Sequence, residues 1–571
     1  VSSCEGFFHV MRRSANQAGL VVALATLLGA LPRLYFASVQ FVEYDGWWHV
    51  FVAGQDTLEN LVWEIRSQTH PPLFYLLLRA VLPFGTSRLV IRSVSLLAGL
   101  ATAWVLGGIV ARWSRHPAVP ALAALAVSLS WNAVVISCEV RAYMLLTLFL
   151  AVAVRSLLEL ATPRHATAAR HALGLCTACS GALLTHYAAA LFMLAAGTLM
   201  AARFAFRRLG RWRLLLAVRR RPLALLAPAV LPLAVAAFLY TAHYGSHRAA
   251  MNHLPEFYLS SSTAGGPLRF VLRNTAWLVD LFTPFRLQPA TPGSQALVTL
   301  ALLAAIGLAM AIPRPPGRPA THRLAGWLFI ALLVTAIVLG LRDTYPYGGS
   351  LRHQFYLYPF ALLFGALALD AGLARLGSRA VRTCLLIAVT GAIGASHVAS
   401  ARAHFWYPRE MFDREIAALE AFRPASSAVY LDQFSLIAFF SGYHDWTWQF
   451  EGLCPTNWSI LRYRLHKGDR SFTVFRDRAR WSLHDQIERA GPDLRGCAES
   501  VAPGSLVVFA LKQFPEANPH ASLLSDEGQA LARRVWGEVG VEVKRCSVAG
   551  GLAAVELTLA PDPGRASPAS P

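Results

Sequence analysis

Acidic, basic and aromatic side chains gather in this chain at short spacing, each time beside a long apolar run. FVEYDGWWHVF carries Glu43, Asp45, Trp47, Trp48 and His49, and His70 follows. SCEVRAY supplies Glu139, Arg141 and Tyr143, and THY supplies His186 and Tyr187. LRDTYPYGGSLRHQFYLYP adds Arg342, Asp343, Tyr345, Tyr347, Arg352, His353 and Tyr356. A carboxylate at a water–membrane boundary can take the proton of an acceptor hydroxyl, while arginines neutralise a phosphate or diphosphate leaving group. Aromatic rings can stack on a sugar face, and an apolar groove between helices can hold a lipid tail. This set suits glycosyl transfer from a lipid-linked sugar better than hydrolysis.

Asp45, next to Gly46 and flanked by aromatic residues, is the candidate base. Glu43, His49, His70, Glu139, Arg141, Tyr143, His186, Tyr187, Tyr347, Arg352 and His353 are candidates for substrate binding, Arg141, His186, Arg352 and His353 for the donor phosphate. A long loop adds His243 and His247, and holds Arg248, Arg269 and Arg273 in reserve for the phosphate. Each group also has a plainer role. Trp47, Trp48, Tyr345 and Tyr347 fit an aromatic belt, and Glu139 and Arg141 can pair with each other at a helix junction.

The elements that must position these side chains follow from composition. Of 571 residues, 55% are hydrophobic and only 15% charged, with a formal net charge of +20. So few charges in so apolar a chain exclude an ordinary soluble enzyme and a disordered chain. Crossing a hydrocarbon core takes about 17 to 25 apolar residues. About eleven runs qualify, at 18–39, 88–111, 117–137, 142–160, 172–186, 187–204, 222–243, 295–312, 324–341, 355–373 and 383–400. The first follows Arg12 and Arg13, and its length favours a retained span over a cleaved leader. Residues 71–84 are also apolar, but fourteen helical residues reach only about 21 Å. They read as a juxtamembrane or re-entrant helix opened by His70-Pro71-Pro72, since proline is tolerated at a helix start and not in its interior.

With that helix kept outside, twenty arginines fall on the inner segments, eight of them between Arg203 and Arg221, and the remaining charges balance. This positive-inside pattern puts the amino terminus in the cytoplasm. The cationic excess therefore reports orientation and attraction to the lipid bilayer, and no nucleic-acid partner is expected. An odd number of spans sends residues 404–560 to the outer side. There REIAALEAF has helical periodicity, while SSAVYLDQF, SLVVFAL, VEVKRC and GLAAVELTL read as strands, giving a soluble α/β domain. Residues 561–571 read as a disordered tail. Cys454, Cys497 and Cys546 allow one disulfide and leave one thiol over, with the pairing open; Cys176 and Cys179 lie in a span and suit core packing.

The expected fold is a polytopic α-helical membrane protein: a transmembrane domain over 1–403, a juxtamembrane helix in its first outer loop, and a carboxy-terminal α/β domain. The order of an acid after the first span (Asp45), HPPLFYLLL, E-x-R-x-Y (Glu139, Arg141, Tyr143), THY (Thr185, His186, Tyr187) and YPYGGSLRHQFYLYP resembles bacterial GT-C glycosyltransferases. Within them it is most similar to family thirty-nine, with the protein O-mannosyltransferases and the lipid A aminoarabinose transferases. The resemblance runs over about residues 10 to 400. It implies a polyprenyl-phosphate sugar donor, an inverting single displacement with Asp45 as base, and a bacterial inner membrane with the carboxy-terminal domain in the periplasm. It leaves the acceptor open among lipid, glycan and protein. Members often carry Asp-Glu where this chain has Asp45-Gly46, with Glu43 two residues earlier. No cofactor is required by the resemblance; a divalent metal, present in some relatives, would draw on His49, His70 and Glu139. The rival readings are a transporter or flippase of a lipid-linked glycan, which would want polar groups at the midplane and internal repeats, and a non-enzymatic cell-envelope scaffold.

Overall fold

The computed structural model describes residues 17–66, 68–160, 167–208, 222–243, 259, 265–282, 291–313, 321–348, 351–404, 428–454, 456–480, 483, 486–501, 506–511, 522–549 and 552–560. Two compact units form, one of Val1–Gln40 and Val62–Phe405, the other of Phe41–Leu61 and Trp406–Pro571.

The helices up to residue 404 are α1 Gln17–Val39, α2 Tyr44–Ala53, α3 Leu58–Arg66, α4 Leu73–Val81, α5 Arg88–Trp113, α6 Ala118–Leu129, α7 Trp131–Cys138 and α8 Tyr143–Leu160. After them come α9 Ala168–Thr185, α10 Ala189–Arg208, α11 Pro222–Ala242, α12 Pro267–Phe282, α13 Pro292–Ala311, α14 Thr321–Leu341, α15 Leu351–Gln354, α16 Tyr358–Leu373 and α17 Arg379–His404. All eleven apolar runs predicted from the sequence are helical. By length and composition seven helices among the described residues can cross a membrane, or eight when α6 and α7 count as one span. Eleven crossing helices are thus not established. The runs that fall short are those of α9, α10 and α11. The predicted short helix is present as α4, which begins directly after Pro72 and ends in a turn at Leu82–Phe84. Helices α2 and α3, in the first outer loop, were not anticipated, and neither was α12, which lies in the stretch read as a long loop because Arg269, Arg273 and Asn274 break its hydropathy.

The third predicted span is not straight. Between α6 and α7 the axis turns by 53°, with Ser130 at the corner. Breaking a helix frees carbonyls that lipid cannot satisfy. Here Arg33 of α1 satisfies them. Its guanidinium, fully buried, donates to the carbonyls of Val127 at 2.9 Å, Ser128 at 2.7 Å and Gly29 at 2.9 Å, and its Nε to the Ser137 hydroxyl at 3.1 Å. Tyr358 caps the same corner, donating its hydroxyl to the Ala126 carbonyl at 3.0 Å. At the other end of α6 the backbone N–H groups of Arg115 and His116 both donate to Asp370 of α16, each at 2.8 Å.

The second unit is built on a seven-stranded mixed sheet of order β2-β3-β4-β1-β5-β7-β6. Its strands are β1 Ala428–Leu431, β2 Thr447–Cys454, β3 Asn457–Lys467, β4 Arg470–Asp477, β5 Leu506–Leu511, β6 Val541–Ala549 and β7 Leu552–Leu559. β1 runs parallel to β4 and β5, and the remaining pairs are antiparallel. Helices α18 Gln433–Tyr443, α19 Ile487–Glu499 and α20 Asp526–Glu538 complete it. Four strand-like runs in the sequence become β1, β5, β6 and β7, although SSAVYLDQF turns into α18 after Leu431. The β2–β3–β4 meander was not anticipated, because its charged residues hide the alternation. The predicted helix REIAALEAF and the tail 561–571 lie outside the described residues, as does most of the Arg203–Arg221 cluster.

Candidate functional site

Within the first unit, chain breaks between helices deliver the polar side chains. α7 ends at Cys138, residues 139–142 turn, and α8 starts at Tyr143. α9 ends at Thr185 and α10 restarts at Ala189, leaving His186 in an extended conformation. After α14 the chain turns through Asp343, with φ 51°, and Gly348, with φ 77°. Any side chain at Gly348 would put a Cβ 2.5 Å from the Cβ of Asn274, so glycine is what lets this turn close against α12.

Four of the predicted residues meet there as rings. His70 and His186 have centroids 5.1 Å apart, Tyr143 and His186 5.2 Å, His70 and Tyr143 5.8 Å, and Tyr143 and His353 6.2 Å. The Arg141 guanidinium lies 6.0 Å from the Tyr143 ring, and Arg352 is the neighbour of His353 in α15. His70, Arg141 and Tyr143 are buried; His186, Arg352 and His353 are half-buried. The ring orientations are fixed from behind. His186 Nδ1 accepts the Ala188 N–H at 3.0 Å, which leaves Nε2 to carry the proton of the neutral ring. His70 Nδ1 meets the Thr69 hydroxyl at 3.1 Å. Ser95 of α5 donates to the Arg141 carbonyl at 2.9 Å, and the Tyr345 hydroxyl donates to the His353 carbonyl at 3.2 Å.

Other candidates turn elsewhere. Tyr187 shares a 2.5 Å hydrogen bond with His243, whose Nε2 lies 2.8 Å from the Ile65 carbonyl. Tyr347 is fully buried and its hydroxyl meets Thr275 at 2.7 Å. Arg273 lies over Trp277 at 5.0 Å. Glu139 is half-buried after the last turn of α7, while Arg269, Arg342 and Asp343 are exposed. His247 and Arg248 lie outside the described residues.

Glu43, Asp45 and His49 belong to the second unit. Asp45 sits in the first turn of α2, half-buried, where a carboxylate is favoured by the helix dipole. The His49 Nδ1 lies 2.6 Å from the Asp45 carbonyl. The seat of α2 is aromatic. Trp47 meets Phe440 of α18 at 6.1 Å, and Phe51 meets Phe440 at 5.3 Å, Trp448 at 5.6 Å and Tyr463 at 6.2 Å. The Arg476 guanidinium of β4 lies 5.4 Å from the Trp48 ring and 5.0 Å from that of Phe51. Polar links close the seat. Tyr44 donates to the Phe434 carbonyl, the Phe450 N–H to Asp56 at 2.8 Å and the Tyr463 hydroxyl to Gln55 at 3.1 Å. Tyr463→Phe removes one such buried bond and should lower the stability of this unit by about 1 kcal/mol, read as a lower midpoint of thermal unfolding in detergent.

Sequence reasoning missed a pair of positioning arginines. Arg92 donates to the carbonyls of Ala37 at 2.6 Å and Gln40 at 3.0 Å, and Arg88 to those of Ser38 at 3.3 Å and Val39 at 3.2 Å. They clamp the carboxy-terminal end of α1, from which the Asp45 segment departs. Their signal was the two arginines in the first turns of an apolar helix. Among the described residues no group of three or more His, Cys, Asp or Glu side chains is arranged to hold a metal ion.

These features define a polytopic helical membrane protein with a carboxy-terminal mixed-sheet domain. No protein-family model matches the chain, and neither does any curated protein. Among solved structures it is similar to the crystal structure of ArnT from Cupriavidus metallidurans in the apo state, at 15% identity and a TM-score of 0.40, over 94% of this chain and 97% of that one. It is also similar to ArnT from Cupriavidus metallidurans bound to undecaprenyl phosphate, at 14% identity and a TM-score of 0.37, with the same coverage.

Proposed function

We propose that this chain is a membrane glycosyltransferase that moves a hexose or pentose from a polyprenyl-phosphate carrier to a lipid, glycan or protein acceptor at the outer face of a bacterial inner membrane. The observation that carries the reading is the meeting of His70, Arg141, Tyr143, His186 and His353 at the ends of apolar helices. Ionisable groups are costly at membrane depth, and an arginine among imidazoles and a phenol is the company an anionic headgroup needs.

In this reading Arg141 and Arg352 neutralise the phosphate, the imidazoles donate hydrogen bonds to its oxygens, and the Tyr143 ring offers a face to the sugar. The acceptor hydroxyl attacks the anomeric carbon from the side opposite the phosphate and gives its proton to the Asp45 carboxylate. The bond from that carbon to the phosphate oxygen breaks, polyprenyl phosphate leaves, and the configuration inverts. The test is incubation of the purified protein with a panel of polyprenyl-phosphate sugars and candidate acceptors. Acceptor-dependent release of polyprenyl phosphate is the expected result; none with any donor, from folded protein, would overturn the reading.

A further inference from the structure

Two cysteines left open by the sequence lie side by side in the sheet domain. Cys454 ends β2 and Cys497 is in the last turns of α19, 43 residues further on; both are fully buried, with Sγ atoms 3.8 Å apart. The approach is built by their neighbours. At Gly496 a Cβ would lie 2.2 Å from the Thr456 hydroxyl oxygen, so only glycine lets α19 come this close to the β2–β3 turn. From that turn the Asn457 amide donates to Asp493 of α19 at 3.0 Å, a second link across the same contact. Cys546, the third cysteine of the domain, is on β6 at the far edge of the sheet from β2.

We infer that Cys454 and Cys497 are joined by a disulfide in the mature protein, tying the end of β2 to α19. This rests on the outer-face reading of the sheet domain, because disulfides persist in oxidising compartments. Closing the bond removes two protons and two electrons, taken up by the disulfide of a thiol oxidoreductase, which is reduced to its dithiol. The thiolate of one cysteine attacks that disulfide and displaces one sulfur; the thiolate of the other then attacks the Sγ of the first and displaces the second oxidoreductase sulfur. With neither sulfur reachable in the finished fold, the exchange belongs to the folding chain, before α19 docks.

The test uses the full chain in its own membrane. Cells are quenched in acid, denatured and treated with a maleimide before and after reduction. Reduction should expose two further thiols. Without reduction, a tryptic digest should contain the peptide ending at Arg462 joined to the one beginning at Gly496, lighter than their sum by two hydrogens. Cys497→Ser should remove the gain on reduction; should that variant fail to accumulate, the joined peptide of the unaltered chain decides. Full alkylation of Cys454 and Cys497 without reduction, or either of them joined to Cys546, would overturn the inference. A separate alkaline phosphatase fusion to the carboxy terminus tells the two possible failures apart. Reduced thiols with an active phosphatase defeat the pairing alone; reduced thiols with a silent one defeat the outer-face reading and the pairing with it.

Discussion

Asp45→Asn is expected to abolish sugar transfer by the purified protein while membrane insertion and the unfolding midpoint stay unchanged. Asparagine keeps the size and a hydrogen-bonding oxygen of aspartate but cannot take a proton. General-base catalysis is typically worth about 10² to 10⁴ in rate, so release of polyprenyl phosphate should fall by about that factor. The fold should tolerate the change because α2 is held by the packing of Trp47, Trp48 and Phe51. Glu43→Gln in parallel separates the two acids of this segment. Transfer retained in Asp45→Asn would remove Asp45 from the mechanism, and loss only in Glu43→Gln would move the base to Glu43.

Arg141→Met carries the second large effect. Arg141 is buried beside Tyr143, with its own carbonyl held by Ser95, so its charge is aimed and poorly screened. Removing one preorganised charge or donor from a developing anion costs about 10² to 10³ in rate. The loss is expected in kcat/KM for the polyprenyl-phosphate sugar, with KM for the acceptor little changed. Arg141→Lys should recover part of it, since an ammonium supplies the charge without the planar fork. An acceptor KM that rises alone would mean that Arg141 serves the acceptor and not the phosphate.

Much of the membrane unit was legible because helices report themselves locally. An apolar run needs no distant partner to be recognised, and all eleven runs are helical. What the sequence hid were departures from that rule. The corner at Ser130 lies inside a run whose only polar interruptions are Ser128, Ser130, Asn132 and Ser137, too few to break its hydropathy, and its stabiliser, Arg33, is about a hundred residues away. The ring cluster was legible only as a set of helix ends: His70, Arg141, Tyr143, His186 and His353 stand among eleven substrate-binding candidates, and spacing does not pick these five out of them. Spacing alone could not reveal that Tyr187 turns to His243 and Tyr347 to Thr275, because those choices depend on α11 and α12. Least legible was the seat of α2. FVEYDGWWHVF looks like an interfacial belt, yet its rings pack on strands and a helix about four hundred residues on, and only the tertiary fold distinguishes a lipid-facing tryptophan from one covered by Arg476.

Arg33 also bears on the order of assembly. A lone arginine costs about 2.5 to 3.5 kcal/mol at the centre of a membrane helix on insertion scales, and Arg33, six residues from the end of α1, carries part of that cost. Its acceptors beyond Gly29 lie 94 to 104 residues further along the chain. During synthesis α1 therefore emerges with a charge that its own helix cannot cover, and it becomes a finished element only when α6 and α7 have been made and have bent around it. The corner in the third span is thus also the completion of the first.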